Sequence, residues 1–180
     1  SSCFSKFPVT MINCRSLFSL FALAAYLCGQ DIKWETGLRL TLSTPSSGTD
    51  IRSVSRPALS VKVGQFPSPF LDGGTFKARW EGLLHLETRS RLYFSFAGAG
   101  KAKLMIDGED ILFVEGEDLS SSESERIRLN SGDHPIVLEY DSPVEMDAAI
   151  RLYWRGRDFA RETIPAASFL RPPESAEGDI

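Results

Sequence analysis

Three carboxylates, Asp107, Glu109 and Asp110, fall within four positions of the stretch LMIDGEDILF (104–113) and surround a glycine. Side chains of this kind ligate calcium or hold sugar hydroxyls. Calcium takes six to eight oxygens, so two or three carboxylates would need carbonyls and waters from other loops. The sixth position counted from Asp107 is Leu112, where an EF-hand loop carries glycine. The same stretch is a strong hairpin signal, because Asp and Gly tolerate the positive φ of tight two-residue turns. The turn is favoured over the metal site. It places Leu104 and Ile106 on one strand and Ile111 and Phe113 on the next.

A second candidate is Asp72-Gly73-Gly74, where two residues without a Cβ would let a ligand approach the backbone or would simply loosen a loop. The ligand-binding candidates are therefore Asp72, Gly73, Gly74, Asp107 and Asp110, with no metal site and no catalytic residue assigned. The run EGEDLSSSESE (115–125) carries Glu115, Glu117, Asp118, Glu123 and Glu125 and reads as a solvated acidic loop or a weak chelator. His85 and His134 are the two histidines; isolated and without cysteine partners they make a poor zinc set, and His134 is placed for a local hydrogen bond beside its turn. The chain has no Gly-x-Ser-x-Gly elbow, no phosphate-binding glycine loop and no Cys-x-x-Cys-His haem site. Catalytic carboxylate pairs are set in space rather than in sequence, and nothing marks one among the 24 acids.

Strands must position these residues. From Trp34 onward apolar residues recur with period two: Leu38, Leu40 and Leu42; Leu59, Val61 and Val63; Phe76, Ala78 and Trp80; Leu92, Phe94 and Phe96; Ile136, Leu138 and Tyr140; Ala148, Ile150, Leu152 and Trp154. Such alternation turns one side of each strand to a core and the other to water. Trp80 and Trp154 are thus core residues, whereas Trp34 and Tyr153 are better placed for exposure. STPSSGTD (43–50), GQFPSPFLDGG (64–74), NSGD (130–133) and DSPVEMD (141–147) read as connections, the last two between strands that pair with one another. No amphipathic helix of ten residues stands out. The pattern predicts an all-β antiparallel sandwich or barrel.

The 180 residues carry a formal charge of −4, which argues against a nucleic-acid partner. The chain begins at Ser1, and Met11 opens a better start: Arg15, an apolar run from Leu17 to Cys28, then polar residues. This is the layout of a secretory signal peptide, with an uncleaved anchor or a buried helix as alternatives. All three cysteines (Cys3, Cys14, Cys28) lie in or before it, and Leu27 weakens a lipidated Cys28. Removing residues 1–30 takes away Lys6 and Arg15 and no acid, leaving 18 basic against 24 acidic side chains, a balance of −6. The expected organisation is a signal segment over 1–30, one β-domain over 31–170 and a linker or truncated tail over 171–180, RPPESAEGDI. A signal segment implies a secreted, periplasmic or cell-envelope location and no other membrane association.

Four stretches in order, FKARWEGLL (76–84), RLYFSFAGAGKAKLMIDGEDIL (91–112), LNSGDHPIVLEY (129–140) and AAIRLYW (148–154), followed by ETIPAASFL, resemble the protective antigen fourteen-kilodalton domain family. Phe66-Pro67-Ser68-Pro69-Phe70 resembles a variant of that module from large secreted bacterial proteins. The resemblance implies a β-barrel or sandwich that binds carbohydrate or a cell surface without catalysis. Its partner would be a glycan or cell-wall polysaccharide. Alternatively, the module docks a neighbouring catalytic or cytochrome domain of the same polypeptide. The family's calcium-dependent adhesins hold the ion between two consecutive aspartates. This chain has no Asp-Asp pair, and Asp107-Gly108 stands in the comparable place, so no cofactor is expected and calcium is disfavoured.

Overall fold

The structure, a computed structural model, describes residues 33–173; the signal-like segment 1–30, with Met11 and Cys28, lies outside the described residues, as does the tail from residue 174. Twelve strands follow one another: β1 (Glu35–Thr36), β2 (Leu38–Thr44), β3 (Gly48–Val54), β4 (Ala58–Val61), β5 (Lys77–Leu86), β6 (Ser90–Ile106), β7 (Glu109–Gly116), β8 (Ile127–Leu129), β9 (Gly132–Asp141), β10 (Ala148–Arg155), β11 (Glu162–Thr163) and β12 (Phe169–Arg171). Two single-turn 3-10 helices, Leu119–Ser121 and Ala166–Ser168, are the helical segments among the described residues. Every pairing is antiparallel. The all-β antiparallel expectation therefore holds.

One strand ties two sheets together. The C-terminal half of β6 belongs to a larger sheet ordered β3-β2-β5-β9-β6-β7, in which β12 and then β1 continue beside the end of β5. Its N-terminal half pairs with β10 and β8, and β10 also carries β4 and β11. The passage between the two halves falls at Gly98-Ala99-Gly100, where both glycines have positive φ, +129° and +124°. A Cβ on Gly98 would overlap the Ala149 carbonyl, and one on Gly100 would lie 2.6 Å from the Asp141 carbonyl oxygen. Only glycine fits both the backbone conformation and the close approach. The Tyr140 hydroxyl closes the corner by donating to the Ala99 carbonyl at 2.5 Å. Burial pushes that phenol up to about 12.

The inner face of the larger sheet is built of cross-strand rows, Leu40–Trp80–Leu138–Leu104–Leu112 and Leu42–Ala78–Tyr140–Ala102–Val114. Each member of both rows is buried. With Phe94, Phe96, Ile150, Leu152 and Phe169 they form one core. Trp80 and Trp154 lie in it as expected, Trp34 is exposed, and Tyr153 is half-buried beneath the Arg161 guanidinium at 4.0 Å.

Several expectations need correction. Strand β3 falls in a stretch without alternation because, as an outer strand, neither of its faces is deeply buried; the connection expected over 43–50 shrinks to the turn at 45–47. The 130–133 and 141–147 segments do not join paired strands. β8 pairs with β6, while β9 and β10 each pair with β6, so these connections cross between sheets. Arg171, placed in the tail, ends β12 and donates to Glu35 at 2.6 Å. The acidic run is no freely solvated loop: Leu119 is fully buried, Ser124 exchanges hydrogen bonds with the Phe94 backbone, and Arg155 holds Glu123 through two bonds of 2.6 and 2.5 Å. That guanidinium pulls the Glu123 carboxyl below its ordinary range.

Candidate functional site: the outer face of the larger sheet

Asp107 and Gly108 form the two-residue turn expected of them, with φ of 54° and 79°. The register beyond the turn is not the simple one. Ile106 faces Glu109 and Met105 faces Asp110, yet Leu104 faces Leu112, so Ile111 is an extra, bulged residue. A bulge of one residue exchanges the two faces of everything after it. Leu112 and Val114 therefore enter the core, and Phe113, which an unbulged register would set opposite Ala102 on the inner face, turns outward at 54% exposure.

Phe113 joins an ordered set of side chains there. Two outer rows alternate with the core rows: Ser43–Lys77–Asp141–Lys101–Glu115 and Thr41–Arg79–Glu139–Lys103–Phe113. Opposite charges thus face one another across neighbouring strands, the favourable cross-strand arrangement. Lys77 lies 3.3 Å from Asp141, Arg79 bridges Glu139 and Glu81, and Lys103 meets Asp110 at 2.9 Å. The Lys101 ammonium stands 5.4 Å over the Phe113 ring. Such exposed pairs add little stability. Their effect is to fix donors and acceptors in a two-dimensional array around a concavity of about 320 Å³. Its dimensions are those of a small-molecule site.

The sequence-derived candidates fall in three places. Asp110 lies outside the lining of the concavity and reaches it only as the ion-pair partner of Lys103. Asp107 does not: its backbone N–H donates to the Pro135 carbonyl at 2.9 Å and its carboxylate lies 2.8 Å from Nδ1 of His134. The other ring nitrogen of His134 faces the Asn130 carbonyl at 3.0 Å. Acceptors facing both ring nitrogens favour the doubly protonated imidazolium. Burial opposes that charge, but Asn130 and Asp107 outweigh it and hold the His134 pKa above its usual value. Asp72, Gly73 and Gly74 sit at the far end of β9, in a loop tied through Asp72 N–H to the Ser47 hydroxyl at 2.8 Å and followed by Phe76, whose carbonyl accepts from Ser142. The structure does not bring 72–74 together with 107 and 110. Among the described residues no three His, Cys, Asp or Glu side chains converge as metal ligands.

No family model matches the chain, and no curated protein matches it. Solved structures do. An anti-sigma factor domain-containing protein from Clostridium clariflavum is 21% identical over 78% of this chain and 48% of its own, with a TM-score of 0.65. The epithelial adhesin 9 A domain from Candida glabrata, in complex with Galβ1-3GlcNAc, is 9% identical over 81% and 93%, with a TM-score of 0.59. The PA14 domain of the antifreeze protein MpAFP is 11% identical over 79% and 94%, with a TM-score of 0.56. The chain spans about half the length of the anti-sigma factor domain-containing proteins it matches. At these identities the likeness is one of fold.

Proposed function

We propose that this chain is a non-catalytic carbohydrate-binding module of the protective antigen fourteen-kilodalton type, secreted or held at the cell envelope, with the outer face of its larger sheet as the sugar platform. The observation that carries the reading is the array around Phe113. A sugar offers hydroxyls that both donate and accept, together with an apolar face of C–H groups. Lys77, Arg79, Lys101 and Lys103 donate, Glu139 and Asp141 accept, and the half-exposed ring offers apolar contact. The fold shared with an adhesin domain solved with a bound disaccharide supports it. Calcium has no part in this reading, since Asp107 is already engaged by His134.

The purified chain, screened on a glycan array with and without calcium, is expected to retain neutral oligosaccharides equally in both conditions. Phe113→Ala should weaken that binding roughly tenfold, the loss of one central contact. Binding to no sugar, or undiminished binding by Phe113→Ala, would refute the platform.

A second reading, a docking module for another domain, is favoured by one feature. Val63, Phe66, Phe70 and Val144 are 58–78% exposed on the loops at the 72–74 end of the larger sheet. Isolated exposed apolar residues are ordinary, but four on adjoining loops mark an interaction surface.

A further inference from the structure

Away from that platform, Arg89, Arg91, Arg128 and Arg157 line a single concavity of about 390 Å³ at the N-terminal end of β6. They come from three segments: the β5–β6 turn with the start of β6, strand β8, and the turn after β10. Arg91 and Arg128 are direct cross-strand partners. Like charges placed directly opposite on paired strands are destabilising. Neighbouring arginines are fully engaged: Arg155 is clamped on Glu123 and stacked 3.7 Å from Tyr93, and Arg161 donates to Ser95 and Phe96. The ion pairs of the described residues include none of the four. Asp158, also in the lining, is the acid at the site and answers one positive charge of four. A chain of net charge −4 thus concentrates uncompensated guanidinium forks, the donors best shaped for oxyanions, in one hollow.

We propose that this arginine hollow binds the oxyanion groups, sulfate or carboxylate, of an acidic polysaccharide. The hollow is local and the surrounding molecule is acidic, which suits spaced anionic groups on a sugar chain and disfavours a nucleic acid, whose dense phosphates demand an extended basic face. The Thr88 hydroxyl in the lining serves sugar hydroxyls beside the anion, and the Ser90 hydroxyl, which donates to the Thr88 carbonyl at 3.0 Å, is left to accept from them. This site is separate from the Phe113 platform and does not depend on neutral-sugar binding there.

The test is titration of the chain with dextran sulfate, polygalacturonate and neutral dextran across a salt series. Binding to one or both polyanions, weakening with salt, and none to dextran is expected; the stronger polyanion identifies sulfate or carboxylate as the source. Arg91→Gln and Arg128→Gln should each weaken the polyanion at least about tenfold, as befits loss of a charged hydrogen bond. Each should also raise the melting temperature or leave it unchanged, because the like-charge pair is relieved. That combination separates a binding role from a structural one. Undiminished polyanion binding by both variants, or a lowered melting temperature in both, overturns the proposal. So does equal or better competition by an oligodeoxynucleotide or by poly-glutamate at matched charge, which would assign the hollow to a different class of ligand.

Discussion

His134 shows how one side chain ties two turns together. Its ring spans the Asp107 carboxylate of the β6–β7 turn and the Asn130 carbonyl ahead of β9. Its folded pKa is raised, so its stabilising contribution is complete below the unfolded value of about 6.5 and disappears as pH rises through the folded value. Stability measured by denaturant should therefore fall as pH rises from about 6.5 through the raised folded value, by an amount that Asp107→Asn reduces. Titration of the His134 ring by NMR should show the variant's pKa moved down; an unchanged titration would mean that the carboxylate does not hold the proton. The acidity of Asp107 and the turn at Asp107-Gly108 were legible locally. The partner was not: His134 is 27 residues away, and only the crossing of β9 beside β6 brings the two into contact.

Strand β6 decides the architecture at the next level up. Its seventeen residues serve both sheets, and the change of sheet rests on Gly98 and Gly100. Gly98→Ala should cost more than about 2 kcal/mol, since positive-φ strain adds to a clash with backbone that cannot swing aside. Chemical denaturation would measure this, and a loss below half a unit would show that the corner yields. The alternation of each long strand was readable because burial on one face imposes period two. Strand β3 was not readable, since an outer strand exposed on both faces has no period to display. Nor was the arginine hollow: its members lie in three separated segments, so no run of positive charge announces it.

For the whole molecule, the shared strand predicts cooperative unfolding. Trp80 lies in the larger sheet and Trp154 in the smaller, within one continuous core. Far-ultraviolet circular dichroism and tryptophan fluorescence should trace the same denaturant curve, as expected of a single two-state unit. Two resolved transitions would show that the sheets unfold separately. The molecule also presents two chemically different surfaces, a charge-balanced platform and a cationic hollow, which net charge does not reveal because it averages over them.

Local chemistry was sufficient to specify an all-β antiparallel fold, the inward face of five strands and the Asp107-Gly108 turn, whereas Val63, expected to continue the Leu59–Val61 face, lies beyond the end of β4 and is exposed. Those follow from hydrophobic alternation and from backbone preference, both properties of neighbouring residues. The tertiary structure alone decided which residues share a surface. The single bulged residue, Ile111, is the clearest instance: nothing in LMIDGEDILF marks it, yet it sends Leu112 inward and Phe113 outward, because strand faces exchange with every shift of one. An apparently acidic site thereby became a turn latched by a histidine, and the aromatic residue beyond it became the centre of the proposed sugar platform.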